Sequence, residues 1–273
     1  MRDSKLSNKS TRGFSVHGSI RSVAALVAAT LVGTGLVAAA MGSPTQGAAG
    51  LTPPCSPRVL VVDLSSADRG PEFSNLGLQI VEAAAASAVV CGDNLSVYGV
   101  SGGGEVSTIV TSDDLARFTP IGPDAQVRAT RFGAGQRAAL DRLITARLAA
   151  AYRTGDPSVT SLAAMYEVAA QQSTSHSDDV FVTTGVNSDQ VVNLNQPLRV
   201  GEGSQLAKKV RVAHVSARQV VEVGIAQVDS SIPPPSAQWS EEILSFNEAL
   251  CKASGVASCR LYDIASVSEV LGS

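Results

Sequence analysis

The run RVLVVDLSS, residues 58–66, constrains the fold more than any other stretch. Val59, Leu60, Val61 and Val62 follow one another without a polar break, so both faces of an extended segment here are apolar. A strand of that kind is buried on both sides, as in a parallel sheet covered by helices. It ends abruptly at Asp63, with Ser65 close behind. Either the chain leaves the core at that point, or the strand end presents oxygen atoms to a partner.

Downstream, short apolar runs alternate with helical spacings. Residues 71–90 place Phe73, Leu76, Ile80 and Ala84 at helical intervals. Residues 95–100 and 105–110 predict two strands joined by Ser101 and three glycines, a hairpin. Residues 111–133 are polar, contain prolines and lack a period. Helices are predicted at 135–152 and 161–172, a strand at 178–185, a polar loop at 186–203 and a brief helix at 204–210. A strand at 220–228 follows. Three prolines then precede an amphipathic helix with Trp239, Ile243, Phe246 and Leu250 in line, stopped at Gly255. A last strand is predicted at 259–264. This alternation predicts a three-layer α-β-α domain over residues 58–273. Its sheet is mostly parallel, with one antiparallel edge strand from the hairpin.

The first 50 residues differ in kind. Arg2, Lys5, Lys9, Arg12 and Arg21 are basic, Asp3 is the only acid, and no charge follows from Ser22 to Pro57. A basic front before an apolar run of about 20 residues reads, over 1–42, as a cleaved export signal or a single-pass membrane anchor. Ala38-Ala39-Ala40 offers a small-x-small cleavage site. Residues 43–57, rich in Pro and Gly, read as a linker. Both readings place the rest of the chain outside the cytoplasm, secreted or tethered to the membrane by the N-terminal segment.

From residue 51 onward the chain carries 16 basic and 23 acidic groups, a formal charge of −7. No basic cluster remains to follow a phosphate backbone, which argues against a nucleic-acid partner. The four cysteines, Cys55, Cys91, Cys251 and Cys259, form no CxxC, and no histidine lies near them in sequence, which argues against zinc. An even count in an exported chain suggests disulfides, and three pairings are open.

Three strand-end or helix-start positions, taken together, resemble the von Willebrand factor type A family, the fold shared with integrin I domains. That family's first strand ends in D-x-S-x-S, a Thr precedes a later helix, and a strand ends in T-D-G. Together they hold a divalent ion, usually magnesium, at a metal-ion-dependent adhesion site. Here Asp63 and Ser65 match the first Asp and Ser, and Thr160 matches the Thr. Ala67 replaces the second Ser, and Thr184 replaces the later Asp. The resemblance therefore implies a ligand-binding edge at Asp63, Ser65, Thr160 and Thr184, with Asp63, Ser65 and Thr160 as the surviving metal positions. One carboxylate and neutral hydroxyls repay little of magnesium's dehydration, so weak binding or no cofactor is expected. Asp68 or Asp189 could substitute by folding inward. Taken singly, Thr160 also fits a helix N-cap, and Asp63 with Ser65 fits a turn cap. The fold implied by the resemblance also brings Cys55 to Cys91 and Cys251 to Cys259, both at the amino-end face of the sheet.

The implied function is an exported, non-enzymatic module that binds a protein partner. Its binding surface would be the loops after 64, 153–160 and 184, or the polar loop 186–203. A structural subunit of a cell-envelope assembly is the alternative. A third reading is a serine hydrolase, since Gly99 to Gly103 matches G-x-S-x-G around Ser101. That motif needs a helix directly after the serine, whereas a strand pattern follows here.

Overall fold

A computed structural model describes residues 55–56, 58–65, 70–227 and 236–263. The export or anchor segment, most of the linker, Ala67 and Asp68 lie outside the described residues. Six strands form one sheet: β1 (Arg58–Asp63), β2 (Leu95–Val100), β3 (Val106–Val110), β4 (Asp178–Val182), β5 (Gln219–Val223) and β6 (Cys259–Tyr262). Their order is β3-β2-β1-β4-β5-β6. All neighbours are parallel except β2 and β3, so the hairpin strand is the antiparallel edge.

The helices are α1 (Pro71–Cys91), α2 (Ser112–Ala116), α3 (Ala125–Arg131), α4 (Ala134–Thr154), α5 (Leu162–Gln172), α6 (Glu202–Ala207) and α7 (Ala237–Ala253). Alternation along β1 explains its unbroken apolar run. Leu60 and Val62 join a cluster with Ile80, Val81, Leu140 and Ile144 from α1 and α4. Val59 and Val61 join Met165, Phe246 and Leu250 from α5 and α7 on the opposite face. α1 is long and apolar enough, by length and composition, to cross a membrane. Its apolar side lies in the first of these clusters, as a core helix does.

Several boundaries differ from the sequence reading. Residues 111–133 hold two helices that have no apolar period, because local polar bonds fix them instead. Thr111 and Asp114 form a reciprocal capping box at the start of α2. Arg147 of α4 grips both Asp114 oxygens, at 2.5 and 2.9 Å. Asp124 caps α3. Arg128 then donates to the Val90 and Cys91 carbonyls, closing the end of α1. The strand expected at 220–228 stops at Val223, since Gly224 has φ 96° with the Phe73 ring packed against its Cα. The brief helix runs 202–207 rather than 204–210.

Both implied disulfides are present. Cys55–Cys91 ties the chain ahead of β1 to the end of α1, and Cys251–Cys259 ties α7 to β6. Each lies at the amino end of the parallel strands.

Candidate functional site

β1 and β4 run in parallel register with Val62 opposite Val182, so the next residues, Asp63 and Thr183, meet at the carboxyl edge of the sheet. By the same alternation both point to the face covered by α5 and α7. Thr183 Oγ1 donates to Asp63 Oδ2 at 3.1 Å. The Ser65 N–H donates to Asp63 Oδ1 at 2.9 Å, closing a tight turn after the strand. Thr160 Oγ1 donates to Ser65 Oγ at 2.7 Å across 95 residues of chain. Asp63, Ser65 and Thr160 are 3%, 0% and 3% exposed.

A second layer holds Thr160 in place. Its N–H donates to Ser188 Oγ at 2.8 Å, and the Ser188 N–H donates back to the Thr160 carbonyl at 3.0 Å. Asn187 Oδ1 accepts the Leu162 N–H at 3.0 Å, capping the first turn of α5 from another part of the chain. Its Nδ2 donates to the Val192 carbonyl at 2.8 Å, so one side chain fastens both α5 and the loop that follows β4. Thr160 is therefore not the N-cap of α5. That position is Ser161, whose side chain makes no capping bond. The turn-cap reading of Asp63 does hold, alongside its long-range bond to Thr183.

Thr184 is buried one residue further on, where its Oγ1 accepts the Val186 N–H at 3.4 Å and its carbonyl accepts the Ala226 N–H. The threonine that reaches Asp63 is Thr183, which sequence reasoning missed by one position. The signal that could have found it is register: the last residue of one buried strand faces its counterpart on the next. Asn187 and Ser188 carried no comparable signal. Gly185 completes the turn at φ 72°, and a Cβ there would lie 2.5 Å from Asn247 Nδ2, which donates to the Gly185 carbonyl.

Among the described residues this cluster offers magnesium one carboxylate and neutral hydroxyls. The ion needs near-octahedral oxygen ligands and gives up its water reluctantly. Asp63 is the only carboxylate in the described cluster, and both of its oxygens already accept bonds from protein donors. The Ser65 hydroxyl is engaged by Thr160. Asp189 does not fold inward, because its Oδ1 accepts the Val191 and Val192 N–H groups at 2.8 and 2.9 Å.

Ser101 sits at the same end of the sheet, in a turn rather than at a strand-to-helix elbow. A single 3-10 turn, Gly102–Gly104, leads straight into the antiparallel β3. Ser101 Oγ donates to Glu105 at 3.4 Å. His176 and His214 precede β4 and β5, at the opposite end of the sheet from Ser101.

No family model matches the sequence, and no curated protein matches it. The chain is similar to the solved structure of the conserved hypothetical protein BatB from Bacteroides thetaiotaomicron. That match has 12% identity and a TM-score of 0.38 over 79% of this chain and 95% of that one. It is similar to an aerotolerance-related membrane protein from Bacteroides fragilis NCTC 9343, at 12% identity and a TM-score of 0.39 over 80% and 96%. It is also similar to a von Willebrand factor type A structure from Catenulispora acidiphila, at 11% identity and a TM-score of 0.37 over 80% and 41%. At these identities the likeness is one of fold alone. The six-strand order, the single antiparallel edge and the helices on both faces make this a von Willebrand type A-like α/β fold.

Proposed function

We propose that the chain is an exported, non-enzymatic protein-binding module of the von Willebrand type A kind, working without a divalent ion. The observation that carries this reading is the closure of Asp63 by Ser65 and Thr183. A carboxylate held in that way stabilises the edge as a structural clasp, with each oxygen already engaged by a protein donor. The surface left to meet a partner is the loop between β4 and α6. It is anchored inward by Val192, Leu194 and Leu198 and by Trp239 Nε1, which donates to the Leu194 carbonyl. Outward it shows Val191 and Val200, 58% and 83% exposed, among exposed Asn193, Asn195 and Gln196. Exposed aliphatic tips on a fixed backbone, flanked by amides and by the single exposed Arg199 beside Val200, suit a protein partner. Two disulfides and the basic-then-apolar N-terminal segment support an extracytoplasmic site of action, secreted or membrane-tethered.

The test is calorimetry with magnesium or manganese at millimolar concentration, paired with cross-linked pull-down from envelope extract with and without chelator. The reading expects no heat from the ions. It also expects a partner whose yield ignores chelator and falls at least tenfold in Val191→Asp. Ion-binding heat that disappears in Asp63→Ala would contradict it, as would a partner lost to chelator.

A further inference from the structure

Glu222 is the next-to-last residue of β5, 1% exposed, on the sheet face covered by α5 and α7. Its neighbours in register are Phe181 on β4 and Leu261 on β6, neither of which titrates. From α5, Tyr166 reaches it, with the hydroxyl 2.5 Å from Oε1. Tyr166 is held in that position by an edge-to-face contact with Phe181, ring centroids 5.0 Å apart. From α7 come Ile243, Phe246 and Leu250, all apolar. The buried acid of that helix, Glu242, accepts the Gly201 and Gly203 N–H groups instead. Oε2 of Glu222 has no hydrogen-bond partner among the described residues. The site therefore offers a carboxyl group one hydroxyl and no cation.

We propose that the Tyr166–Glu222 pair is a pH-responsive bolt between α5 and the sheet: the packing around it is favourable while the carboxyl is protonated and is destabilised when it ionises, because the buried charge then has only the tyrosine hydroxyl to solvate it. The physical cause is desolvation: a charge on Glu222 would be solvated by a single hydroxyl in apolar surroundings. Burial pushes the Glu222 carboxyl up to about 7, against a smaller lowering by the Tyr166 hydrogen bond. Burial, reinforced by the neighbouring Glu222, pushes the Tyr166 hydroxyl well above its usual range, so tyrosine remains the donor once Glu222 is ionised. α5 is also the helix whose first turn is held by Asn187, two residues after Thr160. The bolt is thus built into the element that supports the carboxyl edge, although it does not depend on any particular ligand there.

The sign follows from proton binding. With a folded-state value above the unfolded one, the native chain holds the proton more tightly between the two. Stability from this group is complete below about pH 4.5 and is lost as pH rises through about 7. Asp179, also buried and raised to about 6, acts in the same direction. The comparison of wild type with Glu222→Gln therefore isolates the bolt.

The experiment is urea unfolding of the full chain across pH 4.5 to 8. We expect the wild-type folding constant to fall about two orders of magnitude more than that of Glu222→Gln. Superimposable profiles overturn the proposal. Should Glu222→Gln not fold, the carboxyl carbon resonance of Glu222 in the wild type decides: a midpoint near 7 supports the bolt, and one below 5 overturns it. Hydrogen exchange checks the link to α5. Its amides should lose protection relative to those of α4 as pH passes 7, and an unchanged ratio contradicts that link.

Discussion

The two ends of the sheet are held together by different chemistry. At the amino end lie both disulfides, the Arg218–Asp178 and Arg147–Asp114 ion pairs, and an arginine closing the last turn of α1. At the carboxyl end the described cluster around Asp63 uses one carboxylate, several hydroxyls and two asparagines. A covalent link is unaffected by solvent, so the disulfides carry the amino end, where Arg218 and Cys55 reach water and the exposed ion pairs contribute little. Hydrogen bonds hold best where water is excluded, and the Asp63 cluster is buried. The contrast teaches that the two ends of one sheet can be fastened by different means, covalent and ionic links at one and a buried network of short polar side chains at the other.

The largest expected effect comes from breaking the amino end covalently. Replacing both members of Cys55–Cys91, which spans 36 residues, should cost about 4 kcal/mol on loop-entropy grounds. Replacing Cys251–Cys259, which spans 8, should cost about 2.5 kcal/mol. Urea unfolding of the two double-serine variants measures both, and a reversed order would break the comparison. Next comes the carboxyl end. Asp63→Ala leaves the Ser65 N–H and the Thr183 hydroxyl without their acceptor and should cost about 2–3 kcal/mol. Asn187→Ala removes an α5 cap and a loop tie and should cost about 1–2 kcal/mol, with Ser188 and Thr160 amides exchanging faster. The smallest effect is an acid titration at the amino end. The Arg147 guanidinium holds the Asp114 carboxyl down to about 2, so its contribution is present above about pH 4 and fades as pH falls through 2. Arg147 is 37% exposed, so that contribution should stay under about 1 kcal/mol. An Arg147→Met profile that lies below wild type above about pH 4 and converges on it as pH falls through 2 would sharpen it.

Much of the scaffold was legible because burial writes itself into periodicity. β1 reads as a two-faced strand because its neighbours cover both faces. The hairpin reads through its glycines, and α7 through the Trp239, Ile243, Phe246 and Leu250 stripe. α2 and α3 were invisible, since caps and arginine bridges to other helices fix them, and neither leaves an apolar period. At the edge, the meeting of Asp63, Ser65 and Thr160 was expected from the resemblance, but the choice of Thr183 over Thr184 was not. That choice rests on strand register, which the ends of two apolar runs specify only to within a residue. The Asn187 and Ser188 ties join residues 25 and 28 apart through side chain to backbone bonds, a pairing that no local pattern announces. The Tyr166–Glu222 pair was hidden for a similar reason. Each residue alone sits at an ordinary helix or strand position, and only the packing of α5 on β5 makes them partners.

The clasp at Asp63 is tested most directly by unfolding the full chain in millimolar magnesium and, separately, in chelator, for wild type and Asp63→Ala. The account predicts the same midpoint in both solutions for each protein, with the variant lower by the same margin in each. A wild-type midpoint raised by magnesium and unmoved in the variant would contradict it, because an ion present at a thousand times its dissociation constant stabilises the native state by about 4 kcal/mol.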